Sequence, residues 1–147
     1  MYAAAHASVT RHDLRVITDM DAARIRELPV RLDYERQRVP LSRLIELVTT
    51  EAEIVPSAKV GADVVTLGST VSFRDEQTET EHVATVVDPR EAAPAERRIS
   101  VLSPVGMALL GRRIGMLTEC AMPNGTRRSI RLLQLHYQPE AAGRAER

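Results

Sequence analysis

Aromatic side chains are nearly missing from this sequence: 147 residues contain one Phe, three Tyr and no Trp. Any core must therefore be aliphatic, and a hydrophobic content of 44% is enough to build one. A ligand pocket walled by rings is disfavoured for the same reason. Charge of one sign is also lacking, since 20 basic residues balance 20 acidic ones. Neither the first 56 residues (8 basic, 9 acidic) nor the rest (12 basic, 11 acidic) is a basic patch, so sequence-specific nucleic-acid binding has no electrostatic footprint. A single cysteine, Cys120, excludes an internal disulfide and points to a reducing compartment. No apolar run approaches the roughly 20 residues of a membrane span. The start, MYAAAHASVTRHD, lacks the basic-then-apolar order of a signal peptide. The expectation is a cytoplasmic chain of one domain, or one domain with a small appendage, and no membrane partner.

Residues 1–16 carry no period and read as a flexible extension. A helix signal follows in TDMDAARIREL, with Thr18 or Asp19 as cap and Met20, Ile25 and Leu28 as a narrow apolar stripe. Pro29 closes it. VRLDYERQRV is charged and lacks a stripe. Leu41, Leu44, Ile45, Val48, Ala52 and Val55 then recur at three- and four-residue steps, predicting a second helix that ends before Pro56. Together these predict a short antiparallel helical hairpin, a coiled coil over 17–56, with an arm of roughly 22 Å.

After Pro56 the period becomes two. VVTLGSTVSFR places Val65, Leu67, Val71 and Phe73 on one side. EHVATVVD and RRISVL read as the next strands. MLTECAM and RRSIRLLQLHY flank PNGT, and Asn124-Gly125 predicts a type I′ hairpin with positive φ at both central residues. The Leu132-Leu133 doublet breaks the alternation, so it is either a bulge or a strand covered on both sides. The fold class is α+β, with an antiparallel sheet and one short helix over 57–140 and a small polar tail over 141–147.

That helix lies inside ISVLSPVGMALLGRRIGM, residues 99–116. Ser103 suits the N-cap and Pro104 the first helical position. Gly111 suits the residue after the helix, where positive φ is easy. Val105, Ala108 and Leu109 are expected to face the sheet, with Met107 and Leu110 less buried.

The run Ile99, Ser100, Ser103, Pro104, Gly106, Ala108, Leu109, Leu110, Gly111, Gly115 resembles the C-terminal signature of the Gre transcript-cleavage factors. ITDMDAARI, DVVTLGSTVSFR and LHYQPEAAG are similar to the Rnk branch of that family, the regulators of nucleoside diphosphate kinase, in which the hairpin is short. The likeness spans roughly residues 17–143. It implies an FKBP-like domain behind a coiled-coil hairpin. It also implies binding to bacterial RNA polymerase at the rim of the secondary channel, in competition with Gre factors. Carried over residue by residue, Leu102, Ser103, Pro104 and Gly106 form the partner-facing loop. Gre factors usually carry an acid just before Ser-Pro, where this chain has Leu102.

Gre factors act through acids at a long hairpin tip that help to hold Mg²⁺. Here Asp33, Tyr34 and Glu35 lie at the expected tip, Arg31, Arg36 and Arg38 offset the acids, and the arm is short. The expectation is a non-enzymatic, monomeric transcription regulator with little cleavage stimulation and no cofactor. An active cleavage factor using the tip acids is the alternative, and an FKBP-like binding or prolyl isomerase module is a third. Phe73 reads as core, which weakens the isomerase option. His6, His12, His82 and His136 show no metal-ligand spacing with Cys120, which reads as a buried thiol. No P-loop or phosphate-cradling glycine motif is present.

Overall fold

A computed structural model describes residues 14–29 and 40–143. Ten helices and strands follow in chain order: β1 (Arg15–Thr18), α1 (Asp19–Arg26), α2 (Leu41–Thr50), β2 (Ala52–Val55), β3 (Thr70–Asp75), β4 (Thr80–Val87), β5 (Arg98–Ser100), α3 (Pro104–Leu109), β6 (Leu117–Ala121) and β7 (Arg127–Tyr137). Three short 3₁₀ turns lie between them.

The N-terminal part departs from an all-helical reading. Arg15 and Val16, expected in a loose extension, belong to β1, which pairs in parallel with β2. All four residues of β1 are buried. Covering on both faces removes the alternation that would have announced a strand. Thr18 does cap α1, its side chain accepting from the Asp21 N–H at 3.0 Å. Of the expected stripe, Ile25 and Leu28 are buried and Met20 is half-buried.

The second helix stops at Thr50 rather than reaching Val55. Its terminal threonines turn their hydroxyls back on Ile45 O and Glu46 O. Such back-bonding and β-branching both weaken helix propagation. Ala52 and Val55, read as a continuation of the stripe, lie in β2 instead. The helices are 8 and 10 residues long, about 12 Å and 15 Å. The linking residues, including Arg31, Asp33, Tyr34, Glu35, Arg36 and Arg38, lie outside the described residues, as do His6 and His12.

The larger sheet has the order β5-β4-β3-β7-β6. It is antiparallel except at one edge, where β5 runs parallel to β4. β7 bends over β3 through two register shifts, opposite Thr70/Val71 and Ser72/Phe73, which leave His136 and Leu133 without partners on β3. The doublet is therefore a bulge, and it re-aims Leu132 into the core, where it is fully buried.

The β6–β7 hairpin keeps its position but changes its turn. Gly125 has φ +87° while Asn124 is not left-handed, so the loop is not type I′. Gly125 N donates to Met122 O at 3.0 Å and Met122 N to Thr126 O at 2.8 Å. Pro123 holds the second turn position at its fixed negative φ, and the glycine supplies the left-handed residue of a three-residue loop.

One core joins the two parts. Ile17, Ile25, Leu44 and Leu47 from the N-terminal unit cluster with Val71, Leu102, Leu109 and Leu132. Phe73 belongs to this core and stacks on exposed His82, with ring centroids 5.5 Å apart. Cys120 is buried, and burial pushes its thiol pKa up.

Candidate site at the Ser-Pro turn

α3 begins as its residues predict. Ser103 has extended backbone (φ −80°, ψ 156°), and its Oγ accepts from Gly106 N at 3.0 Å. The same hydroxyl donates to Ser100 O at 2.7 Å, while Ser100 Oγ accepts from Leu102 N at 2.9 Å. The turn from Ser100 to Gly106 is thus tied by its own side chains. Gly106 has no room for any other residue, because a Cβ there would lie 2.1 Å from Ser100 O.

The structure divides the four residues carried over by resemblance. Ser103 and Pro104 are half-exposed. Leu102 is completely buried, which corrects the expectation that it faces a partner. With no carboxylate at 102, the side chain turns inward and joins the aliphatic core. Gly106 is buried and acts through close packing rather than contact. Met107 and Leu110, expected to be less buried, are core residues, while Val105 is only half-buried.

The far end of α3 holds a feature that sequence reasoning missed. Arg15 is buried, and its Nη1 donates to Met107 O and, at 2.9 Å, to Leu110 O. These are terminal carbonyls that a short helix leaves without intrahelical partners. Burial lowers the guanidinium pKa to about 9, with Arg112 adding to the effect, so the group remains protonated at neutral pH. Gly111 follows with φ +81°, as its position predicts. β1 crosses against it, with Val16 N donating to Gly111 O at 2.9 Å. A basic residue opening the first strand was the available signal, but its partners lie more than 90 positions away.

A second tie joins α1 to the sheet domain. Asp21, buried, accepts from Leu67 N at 3.0 Å. Burial raises its carboxyl pKa to about 6, and Glu140 adds to the effect. Glu140 itself accepts from Thr66 Oγ1 at 2.7 Å. Nearby, Gln138 Nε2 donates to Gly61 O and Val64 O, both at 2.8 Å.

Beside Pro104 opens a cleft of about 290 Å³, bordered by Arg43, Met107, Glu119, Ala121 and Arg127. It holds no catalytic constellation. Among the described residues no three His, Cys, Asp or Glu side chains converge in metal-binding geometry, and no helix is long and apolar enough to cross a membrane.

Residues 59–137, which contain this turn and the whole five-stranded sheet, match the family model for the C-terminal domain of transcription elongation factor GreA/GreB. The chain belongs to the GreA/GreB family. Within it, the chain is 34% identical over 128 residues to the regulator of nucleoside diphosphate kinase of Escherichia coli K12, covering 87% of this chain and 93% of that protein. It is 35% identical over 130 residues to transcription elongation factor GreA of Azorhizobium caulinodans, covering 84% of this chain and 82% of that one. A solved GreA/GreB elongation factor from Nitrosomonas europaea superposes with a TM-score of 0.63 at 32% identity, covering 84% of this chain and 98% of the other. The family likeness thus extends past the sheet into the β1–α1–α2–β2 unit.

Proposed function

We propose that this protein regulates transcription by binding bacterial RNA polymerase at the rim of its secondary channel, in competition with Gre cleavage factors. The single observation that carries the reading is the signature turn itself. Ser103 and Pro104 stand half-exposed on a turn that Ser100, Ser103 and Gly106 hold rigid. Preorganised edges of this kind bind with little ordering cost. Leu102 and Gly106 support the edge from beneath.

The same reading takes the protein as a monomeric cytoplasmic factor, with α1 and α2 as a short helical arm and residues 57–140 as an FKBP-like domain. Asp33, Tyr34 and Glu35, which lie between α1 and α2 in the sequence, are offset by Arg31, Arg36 and Arg38, and the protein gives little cleavage stimulation. The short α1 and α2 support a limited reach. The likeness to the regulator of nucleoside diphosphate kinase over 93% of that protein's length points the same way, toward a regulatory factor rather than a catalyst.

The test is retention of core RNA polymerase on the immobilised protein, with and without a Gre competitor. Retention that the competitor abolishes is the expected result, and absence of retention removes the reading. Added to a backtracked elongation complex, the protein is expected to leave the transcript uncut. Efficient shortening would move it to the cleavage factors.

A further inference from the structure

We propose that the outer edge of β6 receives an extended peptide segment of the polymerase, which adds to the five-stranded sheet as a further strand beside Pro104. This rests on the polymerase-binding reading above and names the kind of element that docks there. β6 is an end strand of the sheet, paired with β7 on one side only. Met122 N donates to Thr126 O at 2.8 Å, and Leu132 N to Met116 O at 3.0 Å. Bonded residues alternate along an antiparallel pair. Thr118 and Cys120 therefore also turn their backbone groups toward β7, while Leu117, Glu119 and Ala121 turn theirs outward. Among the described residues, those outward N–H and C=O groups meet no backbone partner. Donors and acceptors thus alternate along one open edge at the spacing another strand requires.

This edge is left unguarded. Free edges are ordinarily blunted by lysine, proline or a bulge. The β6 run LTECA contains neither lysine nor proline, and its register with β7 is continuous. At the other end of the sheet, β5 covers the second half of β4. The cleft beside Pro104 lies along the open edge of β6, with Glu119 and Ala121 on the strand side and Pro104, Met107 and Ala108 on the helix side. An incoming strand finds there a backbone to pair with and an apolar wall for alternate side chains, which is how sheet edges take up peptides. Charge selects nothing at this place. Arg43 is paired with Glu46 and Glu51, Arg127 with Glu119, and Arg15 with the α3 carbonyls. The backbone does the selecting, because a helix has spent its own amides internally and offers no ladder. A second copy of this chain fits poorly. Antiparallel pairing of β6 with itself over its full length sets Glu119 opposite Glu119, and like charges directly opposite are destabilising.

The test reads amide hydrogen exchange of the full-length chain, free and bound to core RNA polymerase. In the free protein the amides of Leu117, Glu119 and Ala121 should exchange fast, and those of Thr118 and Cys120 slowly. Binding is expected to slow the three outward amides by about tenfold or more and to leave the two inner ones as they were. Ala121→Pro deletes one outward donor and no bond to β7, a substitution that edge strands accept. It should lower affinity for the polymerase by about tenfold. Ala121→Val keeps the N–H and should bind like the wild type. If Ala121→Pro fails to fold, the exchange pattern of the wild-type protein decides by itself. Bound polymerase with the three amides still fast would overturn the proposal, and so would full affinity in a folded Ala121→Pro. Protection that grows with protein concentration in the absence of polymerase would overturn it too, since the edge would then be a seam between copies. Failure of the wild-type protein to bind polymerase at all is read first and removes the proposed function, and this proposal with it.

Discussion

The two ends of α3 solve the same problem by opposite means. At its beginning, the free backbone groups are met locally, by Ser100 and Ser103 within the turn. At its end, the free carbonyls are met from far away, by Arg15 of β1. A locally completed end can stay in solvent and face a partner. An end completed by a distant strand is buried, and it fastens the N-terminal unit to the sheet. One six-residue helix thereby serves as both outer edge and inner joint.

Substitutions at each end should separate these roles. The largest effect is expected at Gly106→Ala, where the new Cβ meets backbone rather than a yielding side chain. Thermal or denaturant unfolding should show a loss of about 3 kcal/mol or more, because overpacking against a fixed carbonyl has no easy relief. Arg15→Met keeps the aliphatic stem but strips two buried carbonyls of their donor. A loss of about 2 kcal/mol is expected, with faster hydrogen exchange at Val16, whose amide bonds Gly111 O. An unfolding change with Val16 exchange untouched would break the assignment of this end as a joint. Ser103→Ala removes the N-cap acceptor at the other end and should cost about 1 kcal/mol, without altering exchange at Val16.

The smallest effect at neutral pH is expected from Asp21→Asn, which sharpens the comparison by testing the second tie. The Asp21 carboxyl titrates near 6 in the folded chain, above its ordinary value of 3.8. The folded state therefore binds more protons than the unfolded state between those values, so this group makes stability fall as pH rises through that window. Acidification from about pH 6 toward pH 4 should strengthen the wild-type protein through this group. Asp21→Asn should remove that component, and identical pH profiles for the two proteins would contradict the burial argument.

The local end of α3 was legible from sequence and the distant end was not. Ser103, Pro104 and Gly111 announce the bounds of the helix because each acts on backbone within a few residues of itself. The strands of the antiparallel sheet were legible by period, as in β3 and β7. β1 and β2 were hidden, because four residues are too few to show a period and β1 is buried on both faces. The direction of β5, parallel to β4, is fixed by the path of the intervening chain, which no local pattern reports. The Asn124-Gly125 pair marked the hairpin but not its turn, since Pro123 takes part in it. Leu102 was misplaced because resemblance puts a polar contact at that position, whereas a leucine follows its hydrophobicity inward. The cleft draws on α2, α3, β6 and β7 together, so only tertiary structure reveals it.

The position of β7 has a consequence for biosynthesis. It lies between β3 and β6, next to the centre of the sheet, although it is the last of the five strands to leave the ribosome. A nascent chain holding β3, β4 and β5 exposes the edge of β3 until β7 arrives to cover it. An uncovered edge of this kind invites pairing with other chains. Closure of the sheet is therefore a late event in the life of each molecule, and the interval before it is when a chaperone has most to protect.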